Sequence, residues 1–288
     1  MNGNLKIAIQ KKGRLTEKSL ELLKSCGFEI ENYKERLFVS ARNFKIDLLF
    51  LRDDDIPEYV QDGVADVGIV GGNVVEEKLV DVEVTRELGF GRCTLMFGIP
   101  EDAELNHPNE LNGKVIATSY PNILNNYFRR HNISARIIGI SGSVEIAPSL
   151  GVADYVCDIV STGTTLKMNK LKKSLTVLES QAVLIKSGKK ALSEEKQKIL
   201  IEFLRRIDSA LTAKKSKYLM MNIPKNSLDV ISQTLPSLKS PTILSLADPE
   251  MLAVHAVIPK DKFWEIIDDL KKYGASGILL LPIENMIV

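Results

Sequence analysis

The chain has 288 residues, 44% of them hydrophobic, and a formal net charge of +1. That length allows two or more domains with their own cores, and the near-neutral charge gives no drive toward nucleic acid or an acidic membrane. No apolar stretch reaches the length of a membrane span.

The first residues enter a strand with no signal-peptide core, which predicts a cytoplasmic protein. Cys26, Cys93 and Cys157 are odd in number and far apart. They fit buried thiols in a reducing compartment. His107, His131 and His255 lie far from one another, which argues against a histidine metal site.

A strand over residues 5–10 leads into Lys11-Lys12-Gly13-Arg14, then a helix over 16–26 closed by Gly27. Thr16 is a fair N-cap and Glu17 suits the first turn. A basic loop between strand and helix puts Lys11 and Arg14 at the carboxyl edge of a sheet, where ligands bind. A solvated charge run is the alternative. Residues 46–51 form a second buried strand. The acids Asp53, Asp54 and Asp55 read as a solvated loop rather than a metal site. Pro57 opens a short helix that ends near Gly63. Residues 65–72 are the next strand and its turn at Gly71-Gly72.

Strands over 82–88 and 94–99 flank Gly89-Phe90-Gly91-Arg92-Cys93. A strand over 114–118, a helix over 119–130 and a strand over 135–140 follow, then a small-residue loop with a carboxylate in it, Ser141-Gly142-Ser143-Val144-Glu145. The stretch 151–166 is the most informative. Tyr155 to Val160 is an apolar run of strand length, and Ser161, Thr162, Gly163, Thr164 and Thr165 follow it. Such a loop turns backbone N–H groups and hydroxyls toward one point, which suits a phosphate; Gly163 supplies the close approach. An ordinary turn is the competing reading. Asp158 stands just before the loop. If the strand includes Asp154, alternation puts both carboxylates on one face. They would accept from sugar hydroxyls or bind a magnesium ion.

Strands over 175–178 and 182–186 precede a helix over 193–212 with an apolar stripe of Ile199, Phe203, Ile207 and Leu211. Alternation of strands with helices predicts an α/β fold with largely parallel sheets. From residue 218 the order is strand, helix, strand, strand, helix, strand, a ferredoxin-like unit of about seventy residues. Fold analogy makes it a regulatory or assembly module. The sequence contains no internal repeat.

Five segments together resemble one family, the long form of ATP phosphoribosyltransferase, over essentially the whole chain. They are Gln10-Lys11-Lys12-Gly13-Arg14-Leu15, Asp66-Val67-Gly68-Ile69-Val70, Ser141 through Pro148, Asp154 through Leu166, and Ser240-Pro241-Thr242-Ile243 with Leu246-Ala247-Asp248-Pro249. The resemblance implies a two-domain, periplasmic-binding-protein-like (type II) catalytic core and a C-terminal ferredoxin-like (ACT-like) regulatory domain. Residues 1–90 with 178–213 would form the first catalytic domain, 91–177 the second, and 214–288 the regulatory one. The implied reaction transfers the 5-phosphoribosyl group of phosphoribosyl pyrophosphate to N1 of ATP, releasing pyrophosphate, with magnesium, as the first step of histidine biosynthesis.

By the same resemblance, residues 161–165 hold the 5-phosphate, and Asp158 and Asp154 accept from the ribose hydroxyls. Glu145 is similar to the family's cleft carboxylate. Lys11, Arg14 and Arg92 face the ATP phosphates or the pyrophosphate. Which carboxylates touch the metal stays open. Leu238, Thr242, Val257 and Gly277 match the effector pocket for histidine, the feedback inhibitor. The family also implies dimers and hexamers without a separate regulatory subunit. One departure stands out: the commoner phosphoribosyltransferase loop has two adjacent acids before its Thr-Thr-Gly, and here a single Asp158 precedes Ile-Val-Ser-Thr-Gly. A prephenate-dehydratase-like enzyme with an amino-acid-sensing domain and a non-catalytic small-molecule-binding module are the competing readings.

Overall fold

A computed structural model describes residues 3–31, 36–160 and 163–287. The chain runs β1 (Leu5–Gln10), α1 (Arg14–Ser25), β2 (Phe38–Ser40), β3 (Ile46–Leu51), α2 (Ile56–Gln61), β4 (Val67–Gly71), α3 (Gly72–Lys78) and β5 (Val82–Glu87). It continues through β6 (Cys93–Pro100), β7 (Val115–Thr118), α4 (Pro121–His131), β8 (Arg136–Gly139), β9 (Tyr155–Val160), α5 (Thr164–Met168) and β10 (Leu171–Ser180). Then come β11 (Ala182–Ser187) and α6 (Glu194–Lys214). By its contacts the chain divides into two units, Met1–Leu20 with Glu29–Ile199, and Glu21–Phe28 with Leu200–Val288.

The first unit holds two sheets, each the floor of one lobe. Lobe I has the strand order β2-β3-β1-β4-β11-β5, and lobe II has β10-β6-β9-β7-β8. β1 is parallel to β3 and β4, and β7 is parallel to β8 and β9. The sheets are mixed rather than largely parallel. β11 runs antiparallel to β4, and β6 antiparallel to β9. The cause is connectivity: the chain leaves lobe I between β5 and β6 and returns between β10 and β11, entering each sheet from the opposite side. The central strands are mostly apolar because both faces are covered. Leu5, Ile7, Ile9, Ile46, Leu48 and Ile69 are fully buried in lobe I, and Phe97 and Ile116 in lobe II.

One device registers both lobes. The Asp66 carboxylate accepts from the Lys6 N–H at 2.7 Å while its own N–H donates to the Lys6 carbonyl at 2.9 Å. Asp154 does the same to Val115, at 2.7 and 2.8 Å. Each aspartate sits just before the central strand, β4 or β9, and clamps the neighbouring parallel strand, β1 or β7, at the amino edge of its sheet. Lys196 closes the first clamp, its Nζ 2.6 Å from Asp66, which is 8% exposed. The lobes therefore share a plan that no sequence repeat announces.

The second unit carries β12 (Ser216–Pro224), α7 (Leu228–Thr234), β13 (Thr242–Ser245), β14 (Met251–Pro259), α8 (Phe263–Lys272) and β15 (Ser276–Pro282). The antiparallel order β13-β14-β12-β15 is the ferredoxin-like one. Leu219, Met221 and Ile223 alternate inward on β12 and meet Ile231 of α7 and Phe263 and Leu270 of α8. On the sheet's other face the Tyr218 hydroxyl bonds His255 Nδ1 at 2.9 Å. Phe203 of α6 stacks on Phe28 at 5.6 Å, with the Arg206 guanidinium 5.2 Å from the same ring. By contacts, α6 is divided between the units, with Leu200 onward in the second.

Several elements differ from expectation. α1 begins at Arg14, so Thr16 lies inside the helix, its hydroxyl donating to the Gln10 carbonyl at 2.8 Å rather than capping. α4 begins at Pro121 rather than residue 119, and β10 spans ten residues rather than four. The strand β2 and the short helices α3 and α5 were not expected.

Candidate active site

The loops that follow β7, β8 and β9 meet at the carboxyl edge of lobe II, because those three parallel strands are neighbours. After β9, Gly163 adopts φ +84 and starts α5. The backbone angle selects glycine there; a Cβ would meet only the tip of the exposed Lys173 side chain, which can move aside. Thr164 and Thr165 are exposed in the first turn of α5. Ser161 and Thr162, also expected in this loop, lie outside the described residues. Asp158 is on β9, half-buried, and its Oδ1 accepts from the Ile159 N–H at 2.7 Å. Burial raises its pKa above the usual carboxylate range; the Ile159 bond opposes this and the charge of Glu145 adds to it.

Glu145 sits in a single 3-10 turn, Val144–Ile146, after β8. Val144 and Ala147 anchor that turn in the core, and Ser143 enters it at φ 52. Glu145, Asp158 and the start of α5 thus share one edge. Asp154 does not. β9 begins at Tyr155, so Asp154 precedes the strand and spends its carboxylate on the clamp at the opposite edge. Alternation along one strand therefore does not relate the two carboxylates.

Lobe I presents its own carboxyl edge. Lys11 and Arg14 are exposed after β1, with the Lys11 N–H tied to the Leu51 carbonyl at 2.7 Å. Arg92 is exposed and lines a cavity of about 810 Å³ with Gly72, Glu76, Glu87, Glu179 and Gln181. A second cavity, about 360 Å³, is lined by Asp54 and Lys78 of lobe I and by Tyr120, Ser141 and Gly142 of lobe II.

Several functional candidates escaped the sequence reading. The Gln10 Oε1 and Asp53 Oδ1 atoms are buried and have no hydrogen-bond partner among the described residues. Asp53 is not a solvated loop acid: burial, then the charge of Asp54, pushes it up to about 6. A junction joins the lobes where the chain crosses. The Asn73 N–H donates to Ser180 Oγ at 2.8 Å, and Cys93 Sγ lies 3.8 Å from Asn73 Oδ1. Tyr120 sits beside it, its phenol raised by burial and then by the charge of Asp158. The available signal was position: each of these residues ends, follows or begins a strand, and ligands bind at strand ends.

The geometry defines a class: a two-lobed α/β cleft of the periplasmic-binding-protein-like kind, carrying a ferredoxin-like module. Comparison with known proteins narrows it. Residues 52–209 match the family model described as ATP phosphoribosyltransferase, and residues 213–285 match "HisG, C-terminal domain". The chain is 48% identical to the ATP phosphoribosyltransferase of Cytophaga hutchinsonii, covering 100% of both chains. It is also 48% identical to that of Bacteroides thetaiotaomicron, covering 99% of this chain and 100% of that one. Among solved structures, the ATP phosphoribosyl transferase (HisG:HisZ) complex from Thermotoga maritima superposes with a TM-score of 0.59 at 29% identity, over 71% of this chain and 96% of that one. The chain belongs to the ATP phosphoribosyltransferase family, pentosyltransferases of the first step of histidine biosynthesis. This displaces the prephenate-dehydratase-like and non-catalytic readings.

Proposed function

We infer that the cleft between the two lobes takes phosphoribosyl pyrophosphate on the lobe II edge and ATP on the lobe I edge, and that N1 of the adenine attacks C1 of the ribose as pyrophosphate leaves. The observation that carries this reading is the joint position of Gly163, Asp158 and Glu145 at one sheet edge. Residues 161–165 would hold the 5-phosphate through backbone N–H groups and hydroxyls, which share a dianion well. Asp158 would accept from the ribose hydroxyls; its partial burial suits a group that exchanges water for a sugar. Glu145, beside it, would face the same ring. Lys11, Arg14 and Arg92 would bind the ATP phosphates or the departing diphosphate. The ribose becomes cation-like in the transition state, so catalysis rests on alignment and on stabilising the leaving group.

Magnesium fits this donor set as an ion delivered on the diphosphate. Mg²⁺ keeps waters and substrate oxygens and needs only one or two carboxylates. Asp158 and Glu145 supply that much, and no group of three or more His, Cys, Asp or Glu side chains able to hold a metal occurs among the described residues. When bound, the ion neutralises diphosphate charge.

In the ferredoxin-like module, histidine would bind near Leu238, Thr242, Val257 and Gly277 and favour one arrangement of the enzyme over another. The Leu238 N–H donates to the Val257 carbonyl at 3.0 Å, which ties two of the four together. A homo-oligomer working in the cytoplasm completes the reading; among the described residues no helix is long and apolar enough to cross a membrane. The test mixes ATP, phosphoribosyl pyrophosphate and magnesium and follows the absorbance of phosphoribosyl-ATP, with and without histidine. Product that histidine suppresses supports the reading. Absence of product from folded protein overturns it.

A further inference from the structure

Helix α3 belongs to lobe I but is fastened to lobe II at both ends. Its first end is held at the crossover, by the Asn73 bond to Ser180. Its second end carries Glu77, whose carboxylate reaches the N-terminus of α4. The Asn122 N–H donates to Glu77 Oε1 at 3.0 Å and Oε2 at 3.1 Å, and the Ile123 N–H donates to Oε2 at 3.0 Å. In return the Asn122 side-chain amide donates to the Glu77 carbonyl at 2.8 Å.

α4 needs that carboxylate. Its own N-cap, Tyr120, makes no side-chain cap bond, and Pro121 has no N–H to give. Asn122 and Ile123 are therefore the first orphan donors of the helix. A negative charge from another element meets them and the positive end of the helix dipole together. Tyr120, the residue before α4, and Glu77 itself line the 360 Å³ cavity with Asp54, Ser119 and Ser141, so the capping contact is part of the cleft wall.

We propose that Glu77 is a positioning residue: its carboxylate latches the lobe I helix α3 onto the N-terminus of the lobe II helix α4 and so sets how much of the free enzyme already has its cleft closed. Opening the cleft breaks these bonds, whereas the Asn73 end stays beside the crossing strands. The apparent affinity of a substrate for a closed cleft falls in proportion to the closed fraction. Loss of a charged cap changes such a fraction by roughly 5- to 30-fold. The kinetic half of this inference rests on the two-substrate reading of the cleft; the distance half does not.

The test compares Glu77→Ala and Glu77→Gln with the wild type in two measurements. In steady-state kinetics, Glu77→Ala is expected to raise KM for both substrates about tenfold while kcat falls less than threefold. Glu77→Gln keeps one acceptor and lands between. In pulsed-EPR distance measurements on substrate-free protein, spin labels sit at Val64→Cys in lobe I and Arg130→Cys in lobe II, both exposed. Glu77→Ala is expected to broaden the distance distribution or shift its main peak, and saturating substrates to restore it. An unchanged distribution in Glu77→Ala overturns the latch whatever the kinetics do. An altered distribution with both KM values within twofold of wild type overturns its positioning role.

Discussion

Replacing Asp53 with Asn should stabilise the protein at pH 8 and do little at pH 4.5. The Asp53 carboxyl titrates at about 6 in the fold, against an ordinary 3.8, because burial and then the Asp54 charge disfavour its ionised form. Its Oδ1 has no partner to offset that cost. Between those two pKa values the folded chain binds more protons than the unfolded one, so stability falls as pH rises through the window and stays low above it. That rise in the Asp53 pKa corresponds to about 3 kcal/mol at full strength. Solvent relaxation around a half-buried group reduces this to about 1–2 kcal/mol. Asparagine has the same shape and no charge, so Asp53→Asn should recover that amount at pH 8, a rise of roughly 3–6 °C in Tm. Scanning calorimetry of both proteins at pH 8 and pH 4.5 isolates the effect, since every other titration cancels in the difference. A Tm gain that is absent, or equal at the two pH values, refutes the burial argument.

The two aspartates of the 151–166 stretch should separate cleanly. Asp154→Ala leaves the Val115 N–H without its acceptor and should cost about 1 kcal/mol in a urea titration with KM unmoved. Asp158→Asn should instead raise the phosphoribosyl pyrophosphate KM or lower kcat by at least tenfold without lowering Tm, since burial already disfavours its charged form; the opposite pattern would exchange their roles. Gly163→Ala forces φ +84 on a residue with a Cβ. It should cost about 1–2 kcal/mol and raise the phosphoribosyl pyrophosphate KM. A lower Tm with the same KM would make the loop a plain turn. Thr242→Arg, on the exposed strand β13, should abolish histidine inhibition and leave turnover without histidine intact. Inhibition at the wild-type concentration would place the effector elsewhere.

The parts of this fold that were legible in the sequence are those whose signal is local. β1, β3, β4 and β9 are apolar runs closed by small or charged residues, and α6 carries its buried stripe at Ile199, Phe203 and Ile207. The six elements of the ferredoxin-like module came in an order that few folds use. The mixed sheets were not legible, because strand direction depends on where the chain crosses between lobes, a fact about connectivity rather than about any strand's residues. α3 was missed for a local reason: it opens on Gly72-Asn73, a pair that favours turns.

At the site, residue type was readable and environment was not. Asp53, Asp54 and Asp55 look identical on paper, yet only Asp53 has a buried carboxylate oxygen with no partner. All three sit in one 3-10 turn after β3, and that turn leaves Asp54 exposed while it partly buries Asp53. Asp154 and Asp158 also look like a pair, until the start of β9 at Tyr155 assigns one to the amino edge and the other to the carboxyl edge. The Glu77 bridge left its trace in an omission. Residues 119–121, Ser-Tyr-Pro, lead into α4 with a tyrosine where a capping side chain is usual. Orphan amides at a half-buried helix start need an acceptor from somewhere. A helix whose own sequence offers none is therefore a place to look for a distant carboxylate, and in a two-lobed protein that carboxylate can belong to the opposite lobe and couple helix capping to cleft closure.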